Sequence, residues 1–355
     1  MESMVGTMTA NPLARDLDHV LACMGALWEE LRGARIFVTG GTGFVGCWLL
    51  ESLLWANDRL NLGASVVVLT RHRTAFGKKA AHLACHPAVT LHEGDVRTFA
   101  FTDGAFSHVV HAAADGNPVL NQHDRLRMFD TIVSGTRRTL EFARQSGATR
   151  FLLISSGSVY GRQPAELTHI GEEYPGAPDA ANGDQAHGEG KRAAEMLCAI
   201  YADAGLQPTI ARCFTFVGPY LPLDVNFAVG NFIRDVLQDQ PIRISGDGTA
   251  CRSYLYAADL AAWLWTILLR GTPCRPYNVG SQRDLTIREL AQAVVRVAGS
   301  GAAIHVGSQP VHGALPSRYV PQTERAQREL GLREAIPLSQ GIQQMLAWYR
   351  ERAVE

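Results

Sequence analysis

The sequence predicts an α/β protein, with a doubly wound parallel sheet followed by a smaller C-terminal lobe. Two observations in the 355-residue chain support this prediction. Residues 35–46, RIFVTGGTGFVG, are a short apolar run that turns on glycines spaced three apart and continues as an apolar helical pattern. Beyond them, strand-like runs alternate with helical segments as far as residue 217. Such alternation indicates parallel strands joined by right-handed crossovers.

The individual elements follow in order from these patterns. Residues 1–34 form an N-terminal extension, in which residues 17–31 have the apolar spacing of an amphipathic helix that packs on the main body. Residues 35–217 are expected to form a dinucleotide-binding domain, and residues 218–355 mostly a substrate-binding lobe over the carboxyl ends of the strands. The predicted strands are residues 35–39, 65–70, 89–93, 108–112, 151–155 and 208–212, with a returning strand at 277–279, and the longest helices are residues 120–145 and 187–204.

The composition excludes several classes of protein. With 33 basic and 34 acidic residues and no basic block, the chain is not expected to bind nucleic acid. Its seven cysteines are scattered without CxxC pairs, which indicates reduced thiols and no metal site. The longest apolar runs contain an acidic residue and are too short to span a bilayer. We therefore expect a soluble cytoplasmic protein without a membrane partner.

The glycines of residues 39–46 predict a phosphate-binding site. A strand that turns on glycines into a helix presents unpaired backbone N–H groups and a partial positive charge to a phosphate. Gly40 would allow the tight turn, Gly43 the approach of a pyrophosphate, and Gly46 the close packing of the helix on the strand.

Six motifs in register make the prediction more specific. They are TGGTGFVG at 39–46, EGDVR at 93–97, HAAA at 111–114, SSGSVYG at 155–161, RCFTFVGP at 212–219 and GDGTACRSYLYAADLA at 246–261. In order and spacing they resemble the extended short-chain dehydrogenases/reductases of the nucleotide-sugar epimerase/dehydratase family, from residue 35 to residue 350.

The resemblance implies a Rossmann-type domain and a nucleotide-diphosphate sugar as substrate. It also implies the residues that bind the dinucleotide, which are Gly40, Gly43, Phe44, Val45, Gly46, Asp95, Val96, Ala112, Ala113 and Lys191.

The end of the second predicted strand distinguishes NADP from NAD. A carboxylate there would bind the ribose hydroxyls of NAD, but the strand ends in Thr70, followed by Arg71 and Arg73. A guanidinium can pair with a 2′-phosphate through two charge-assisted hydrogen bonds. The sequence therefore favours NADP over NAD, with a merely solvated arginine loop as the alternative.

The catalytic pair departs from the family pattern. Members of the family usually carry a Tyr-x-x-x-Lys pair, in which the lysine binds the nicotinamide ribose and lowers the pKa of the proton-transferring tyrosine. Lys191 matches the lysine, but His187 stands four residues before it, where the tyrosine is expected. Ser156 matches the serine of the active-site strand.

Three interpretations of His187 remain open at this point. The imidazole could be the acid/base, since it titrates near neutral pH. It could be only a spacer, with Ser156 or a substrate hydroxyl moving protons through water. The site could also be catalytically impaired, which would leave a nucleotide-sugar or NADP-binding protein.

The active-site strand lacks the residues for elimination. Sugar 4,6-dehydratases of this family follow the serine or threonine with an Asp-Glu pair, and the related decarboxylases are also expected to carry a glutamate. This chain has Gly157 and Ser158 instead, so neither an acid nor a base for loss of water is present there. The sequence therefore favours hydride transfer at a sugar ring carbon, as a C4 epimerase or a 4-ketoreductase.

The remaining predictions concern the substrate and the assembly. Besides Ser156, the substrate candidates are Asn231, Arg252 and Arg318, of which the two arginines are candidates for the diphosphate. Either arginine could instead be a surface ion-pair partner. The two long helices match those that family members pair across a two-fold axis, which implies a homodimer with Met196, Leu197 and Ile200 as part of its interface. The same three residues could equally pack on the sheet.

Overall fold

A computed structural model describes residues 11–114, 124–203, 205–224, 227–311, 313 and 315–353. Its centre is a seven-stranded parallel sheet, as predicted, with the order β11-β6-β5-β4-β1-β2-β3. The strands are β1 (Arg35–Thr39), β2 (Ser65–Thr70), β3 (Val89–Glu93), β4 (His108–His111), β5 (Arg150–Ser156), β6 (Gln207–Cys213), β7 (Phe216–Val217), β8 (Ile242–Ile244), β9 (Cys251–Ser253), β10 (Leu255–Tyr256), β11 (Pro276–Val279), β12 (Asp284–Thr286), β13 (Ile304–Val306) and β14 (Arg318–Tyr319).

Helices cover both faces of the sheet, which is why its central strands are apolar throughout. On β1, Ile36 and Val38 pack into the core on one face, whereas Phe37 packs into the core on the other. The α-helices are α1 (Ala14–Met24), α2 (Phe44–Leu60), α3 (Arg73–Lys79), α4 (Ala81–Ala84), α5 (Arg125–Gln145), α6 (Ala186–Ala202), α7 (Ala228–Leu237), α8 (Ala257–Arg270), α9 (Ile287–Ala298), α10 (Glu324–Leu330) and α11 (Leu338–Ala353).

The two long helices predicted between the strands are present with shifted ends. The helix predicted at 120–145 is α5, which begins at Arg125, and residues 120–123 lie outside the described residues. The helix predicted at 187–204 is α6, which ends at Ala202, and residue 204 lies outside the described residues. These two helices pack against each other on one face of the sheet.

The predicted N-terminal helix is an α-helix that continues as a 3-10 helix at Gly25–Leu31. It packs on α8, and two polar contacts attach it to Tyr256 at the end of β10 and to Asp259 on α8. The Tyr256 hydroxyl donates to Asp16 Oδ2 (2.6 Å), and His19 Nε2 lies 2.8 Å from Asp259 Oδ1.

The C-terminal part of the chain forms small sheets above the carboxyl ends of the central strands. One has the order β12-β9-β14, and the pairs β10-β7 and β13-β8 form two more. The predicted returning strand is β11, which pairs with β6 at the edge of the central sheet. Within the described residues, no helix has both the length and the apolar character that crossing a membrane requires.

Candidate active site

The predicted phosphate-binding loop joins β1 to α2 and can be built only with glycine at two positions. Gly40 has φ +69°, and a Cβ there would lie 2.5 Å from the carbonyl carbon of Ala112, just after β4. A Cβ on Gly46 would lie 2.3 Å from the carbonyl oxygen of Gly40. Gly43, by contrast, has extended backbone and is exposed just before the first residue of α2. The loop therefore opens the N-terminal N–H groups of α2 to a ligand.

A cavity of about 190 Å³ lies between this loop and the ends of β2, β3 and β4. It is lined by Gly40, Thr42, Gly43, Leu69, Thr70, Arg71, Gly94, Asp95, Val96, Ala112, Ala113, Ala114 and Thr131. Most of the predicted dinucleotide-binding residues thus meet in one place. Arg71 lines this cavity, whereas Arg73 is the exposed first residue of α3.

The acidic group of this cavity is held in its ionised form. Arg97 donates hydrogen bonds from Nε to Asp95 Oδ1 and from a terminal nitrogen to Oδ2, both at 2.9 Å. This ion pair lowers the pKa of Asp95 to about 2. Asp95 can therefore only accept hydrogen bonds at neutral pH, as a contact to an amino group of a base requires.

Lys191 and His187 lie on one face of α6, next to β5, the predicted active-site strand. Lys191 Nζ donates to the carbonyl oxygen of Ile154 (2.6 Å), and burial lowers the pKa of Lys191 to about 8. His187 Nδ1 lies 3.0 Å from the hydroxyl of Ser158. Burial and the nearby charge of Lys191 lower the pKa of His187 to about 4, so its imidazole is neutral at physiological pH.

A row of hydroxyl groups connects His187 to Ser156. The Ser158 hydroxyl donates to Ser156 Oγ (2.9 Å), and the backbone N–H of Ser158 donates to the same oxygen (3.1 Å). On its other side, Ser156 Oγ lies 3.4 Å from the hydroxyl of Tyr319. The imidazole therefore reaches Ser156 through Ser158 rather than directly.

Two members of this row are absent from the sequence-based prediction. Ser158 enters that prediction only because it stands where the dehydratases carry an acidic residue. Its place in the SSGSVYG motif nevertheless puts it two residues from Ser156. Tyr319 follows Arg318, which was predicted, but it is 163 positions from Ser156 and no local signal connects the two. Tyr160, another tyrosine of the motif region, donates its hydroxyl to Asn278 (2.8 Å).

A second, larger cavity of about 710 Å³ begins on the other side of Gly43. It is lined by Gly43, Phe44, Val45, Lys79, Phe214, Thr215, Phe216, Leu221, Pro222, Phe227, Ala228, Val229, Arg252, Tyr254 and Ile287. A third cavity of about 440 Å³ shares Ala228 and Ile287 with it and contains Asn231. The three cavities thus form a row from Asp95, past the start of α2, to the C-terminal lobe.

The two candidate arginines of the lobe have different surroundings. Arg252 lines the second cavity, and its terminal nitrogen donates to the carbonyl oxygens of Cys251 (2.7 Å) and Ser317 (3.2 Å). Arg318 pairs with Asp284 on β12 (2.8 Å) and lines neither the second nor the third cavity. Among the described residues, no group of three or more histidine, cysteine or acidic side chains could hold a metal ion.

Comparison with known proteins gives the class of protein that this fold and these cavities define. The sequence matches the NAD dependent epimerase/dehydratase family over residues 36–280, and the chain belongs to this family. The family resemblance of the six motifs is thereby confirmed.

Among the curated relatives are UDP-glucuronic acid decarboxylases. The chain is 32% identical to UDP-glucuronic acid decarboxylase 1 of Arabidopsis thaliana over 319 residues, which cover 90% of this chain and 70% of the relative. It is 28% identical to UDP-glucuronic acid decarboxylase 1 of Xenopus tropicalis over 318 residues, which cover 89% and 72% of the two chains.

Solved structures of epimerases have the same fold. UDP-glucose 4-epimerase of Thermus thermophilus, in complex with NAD, has a TM-score of 0.72 at 26% identity and covers 89% of this chain and 99% of its own. UDP-glucuronic acid 4-epimerase of Bacillus cereus, in complex with UDP-glucuronic acid and NAD, has a TM-score of 0.75 at 23% identity, with 90% and 99% coverage.

Proposed function

We propose that the protein is an NAD(P)-dependent enzyme that transfers a hydride at a ring carbon of a nucleotide-linked sugar, most readily C4. The observation that carries this proposal is the row His187–Ser158–Ser156 beside the buried amine of Lys191. Hydride transfer at a carbinol carbon must be accompanied by proton transfer at its oxygen, and a connected row of hydroxyl and imidazole groups can move that proton.

The first cavity and the start of α2 suit a dinucleotide. The glycine loop leaves room where a Cβ would meet backbone, and the exposed end of α2 can accept a pyrophosphate. When bound, the dinucleotide supplies or accepts the hydride. Lys191 would bind its nicotinamide ribose and Asp95 its adenine, while Arg71 and Thr70 at the end of β2 favour NADP over NAD.

The second and third cavities suit a nucleotide-diphosphate sugar. Arg252 would bind the diphosphate, and Asn231 would lie near the diphosphate or the sugar. Arg318 is a weaker diphosphate candidate because its guanidinium is already paired with Asp284.

The active-site strand argues against the chemistry named for the curated relatives. Gly157 and Ser158 provide no carboxylate next to Ser156, so this strand has no acidic group for either elimination or decarboxylation. If the cofactor is retained and returns its hydride to the opposite face of the sugar, the protein is a C4 epimerase. If NADPH is consumed on a 4-keto sugar, the protein is a ketoreductase.

The alternative is a protein that binds a nucleotide sugar or NADP without turnover, because the family's tyrosine is replaced by His187. The purified protein should be incubated with NAD, NADP or NADPH and a panel of UDP-glucose, UDP-glucuronic acid and dTDP-glucose. Changes in nicotinamide absorbance and new sugar products support the enzyme. Binding without turnover supports the alternative, and release of carbon dioxide from UDP-glucuronic acid contradicts the proposal.

We further propose that the protein is a cytoplasmic homodimer. On α6, Met196 is 63% exposed and Ile200 is 56% exposed, and α5, which packs against this helix, carries the exposed Leu126. Leu197 packs against the chain's own core instead.

All seven cysteines are free thiols, which suits a reducing compartment such as the cytoplasm.

A further inference from the structure

The C-terminal lobe brings a phenol group to the active-site strand. Tyr319 lies on β14, where it is paired with Arg252 of β9, the residue that lines the second cavity. Its ring packs at a tilt against Phe214, another residue of that cavity, with 4.7 Å between ring centroids. Its hydroxyl lies 3.4 Å from Ser156 Oγ. A tyrosine is thus present at Ser156, although it comes from a different part of the chain than the family pattern predicts.

The number of protons and lone pairs on each group decides which group donates in each hydrogen bond of this row. A serine hydroxyl has one proton to donate and two lone pairs that accept. Ser156 Oγ accepts from both the N–H and the hydroxyl of Ser158, so both lone pairs are used. Its own proton is then directed to the Tyr319 oxygen. Because Ser158 donates its proton to Ser156, it must accept from His187, whose Nδ1 therefore carries the proton.

In this hydrogen-bonded row each group donates its proton to the next, from His187 through Ser158 and Ser156 to Tyr319. The phenol proton of Tyr319 is therefore not accepted by any group of the row. We propose that Tyr319 is the catalytic residue that exchanges this proton with the oxygen on the reacting sugar carbon, and that Ser156, Ser158 and His187 form the relay that restores it. This inference rests on the hydride-transfer function proposed above.

The proton transfers balance in either direction. In reduction of a keto sugar by the reduced dinucleotide, the carbonyl carbon gains the hydride and its oxygen takes the Tyr319 proton. Ser156 then gives its proton to the phenolate, Ser158 gives its proton to Ser156, and His187 Nδ1 gives its proton to Ser158. His187 Nε2 takes one proton from solvent, so one hydride and one proton are added to the substrate. Oxidation of the alcohol reverses each transfer.

The electrostatics of the row agree with this direction. Burial raises the pKa of Tyr319 to about 12, which keeps the phenol protonated as a donor. The low pKa of His187 keeps its imidazole neutral, with one nitrogen able to donate and the other able to accept. An imidazolium could not accept the solvent proton.

The experiment compares Tyr319→Phe with Tyr174→Phe in the full-length protein. Tyr174 is a suitable control because it packs against the same aromatic cluster, around Tyr160 and Phe214. Tyr319→Phe retains the ring that packs on Phe214 and should lower kcat about 10²-fold or more, the usual contribution of a positioned acid/base. KM and the dissociation constant of the dinucleotide should stay near the wild-type values. Tyr174→Phe should retain the wild-type kcat.

A second measurement needs no substrate. In ¹⁵N NMR spectra of histidine-labelled protein, with His187 assigned by its loss in His187→Gln, Nδ1 should be protonated and Nε2 unprotonated. Ser158→Ala should abolish this preference. Wild-type kcat in Tyr319→Phe, or the opposite tautomer of His187, would overturn the inference. If the wild-type protein binds the panel of nucleotide sugars given above but converts none of them, the proposed function itself fails, and the inference fails with it.

Discussion

The two glycines at the start of α2 allow a matched test of the dinucleotide site. A Cβ on Gly46 would lie 2.3 Å from the Gly40 oxygen and 2.4 Å from the Gly41 Cα, both of which are backbone atoms. Overpacking of this kind typically costs about 1–3 kcal/mol, whereas alanine in place of glycine inside a helix contributes only about 1 kcal/mol. Because backbone must move to admit this Cβ, we expect a cost in the upper part of that range and a net destabilisation of Gly46→Ala by about 1–2 kcal/mol.

Gly43→Ala should instead weaken dinucleotide binding and have little effect on stability. Gly43 has φ −80° and ψ −177°, which alanine adopts freely, and its Cβ would lie 3.3 Å from the Gly40 oxygen. The Gly40 oxygen must shift by only a few tenths of an ångström, so stability should change less than in Gly46→Ala. The new methyl group would lie where the first and second cavities meet, and displacement of a phosphate from one backbone N–H should cost about 1.5–3 kcal/mol. The dissociation constant of the dinucleotide should rise roughly 10- to 100-fold.

Urea unfolding and calorimetric titration with NAD and NADP would measure both effects. If Gly43→Ala binds the dinucleotides as the wild-type protein does, no pyrophosphate crosses the start of α2. If Gly46→Ala is as stable as the wild-type protein, the packing explanation for that glycine is wrong.

Four further outcomes are expected. Arg71→Asp should weaken NADP binding by about 2 kcal/mol or more, from loss of a charge-assisted pair, and leave NAD binding unchanged or improved; equal weakening in titrations with both would contradict the NADP assignment. His187→Ala should lower turnover about 10²-fold, and the wild-type rate should fall as the pH approaches about 4, because the neutral imidazole is then lost; a variant as active as the wild-type protein would exclude a role for His187. Cofactor affinity, measured by titration across pH, should decline above about pH 8, where the Lys191 ammonium loses its proton; an affinity that stays constant well above that pH would argue against a Lys191–ribose contact. Sedimentation should detect a dimer that dissociates when Met196 and Ile200 are both changed to glutamate, and a wild-type monomer at micromolar concentration would refute the dimer.

The parts of the fold that the sequence predicts well are those with local causes. The strands of the central sheet are short apolar runs, and their observed ends differ from the predicted ones by one residue or none. The glycine loop is equally local, because the turn, the strand before it and the helix after it lie within residues 35–60.

The candidate active site is less predictable because it joins distant segments. The Ser156–Lys191 pair was found through motif spacing, but the connection through Ser158 depends on a side-chain rotamer that spacing does not encode. Tyr319 reaches Ser156 only because β14 pairs with β9 in the C-terminal lobe. Arg318, its neighbour on the strand, was predicted for the diphosphate, and the structure pairs it with Asp284.

The position of α8 has a consequence for the order of folding. This helix is covered by α1 from the beginning of the chain, and Asp259 on it also accepts the backbone N–H groups of Ala335 and Ile336 (both 2.9 Å). The edge strand β11 follows α8 directly and completes the central sheet beside β6. The apolar face of α1 packs partly on α2, but its contacts with α8 need residues 240 positions later. Because such long-range contacts are slow to form, we expect the nascent chain to expose apolar surface during synthesis until α8 and β11 leave the ribosome.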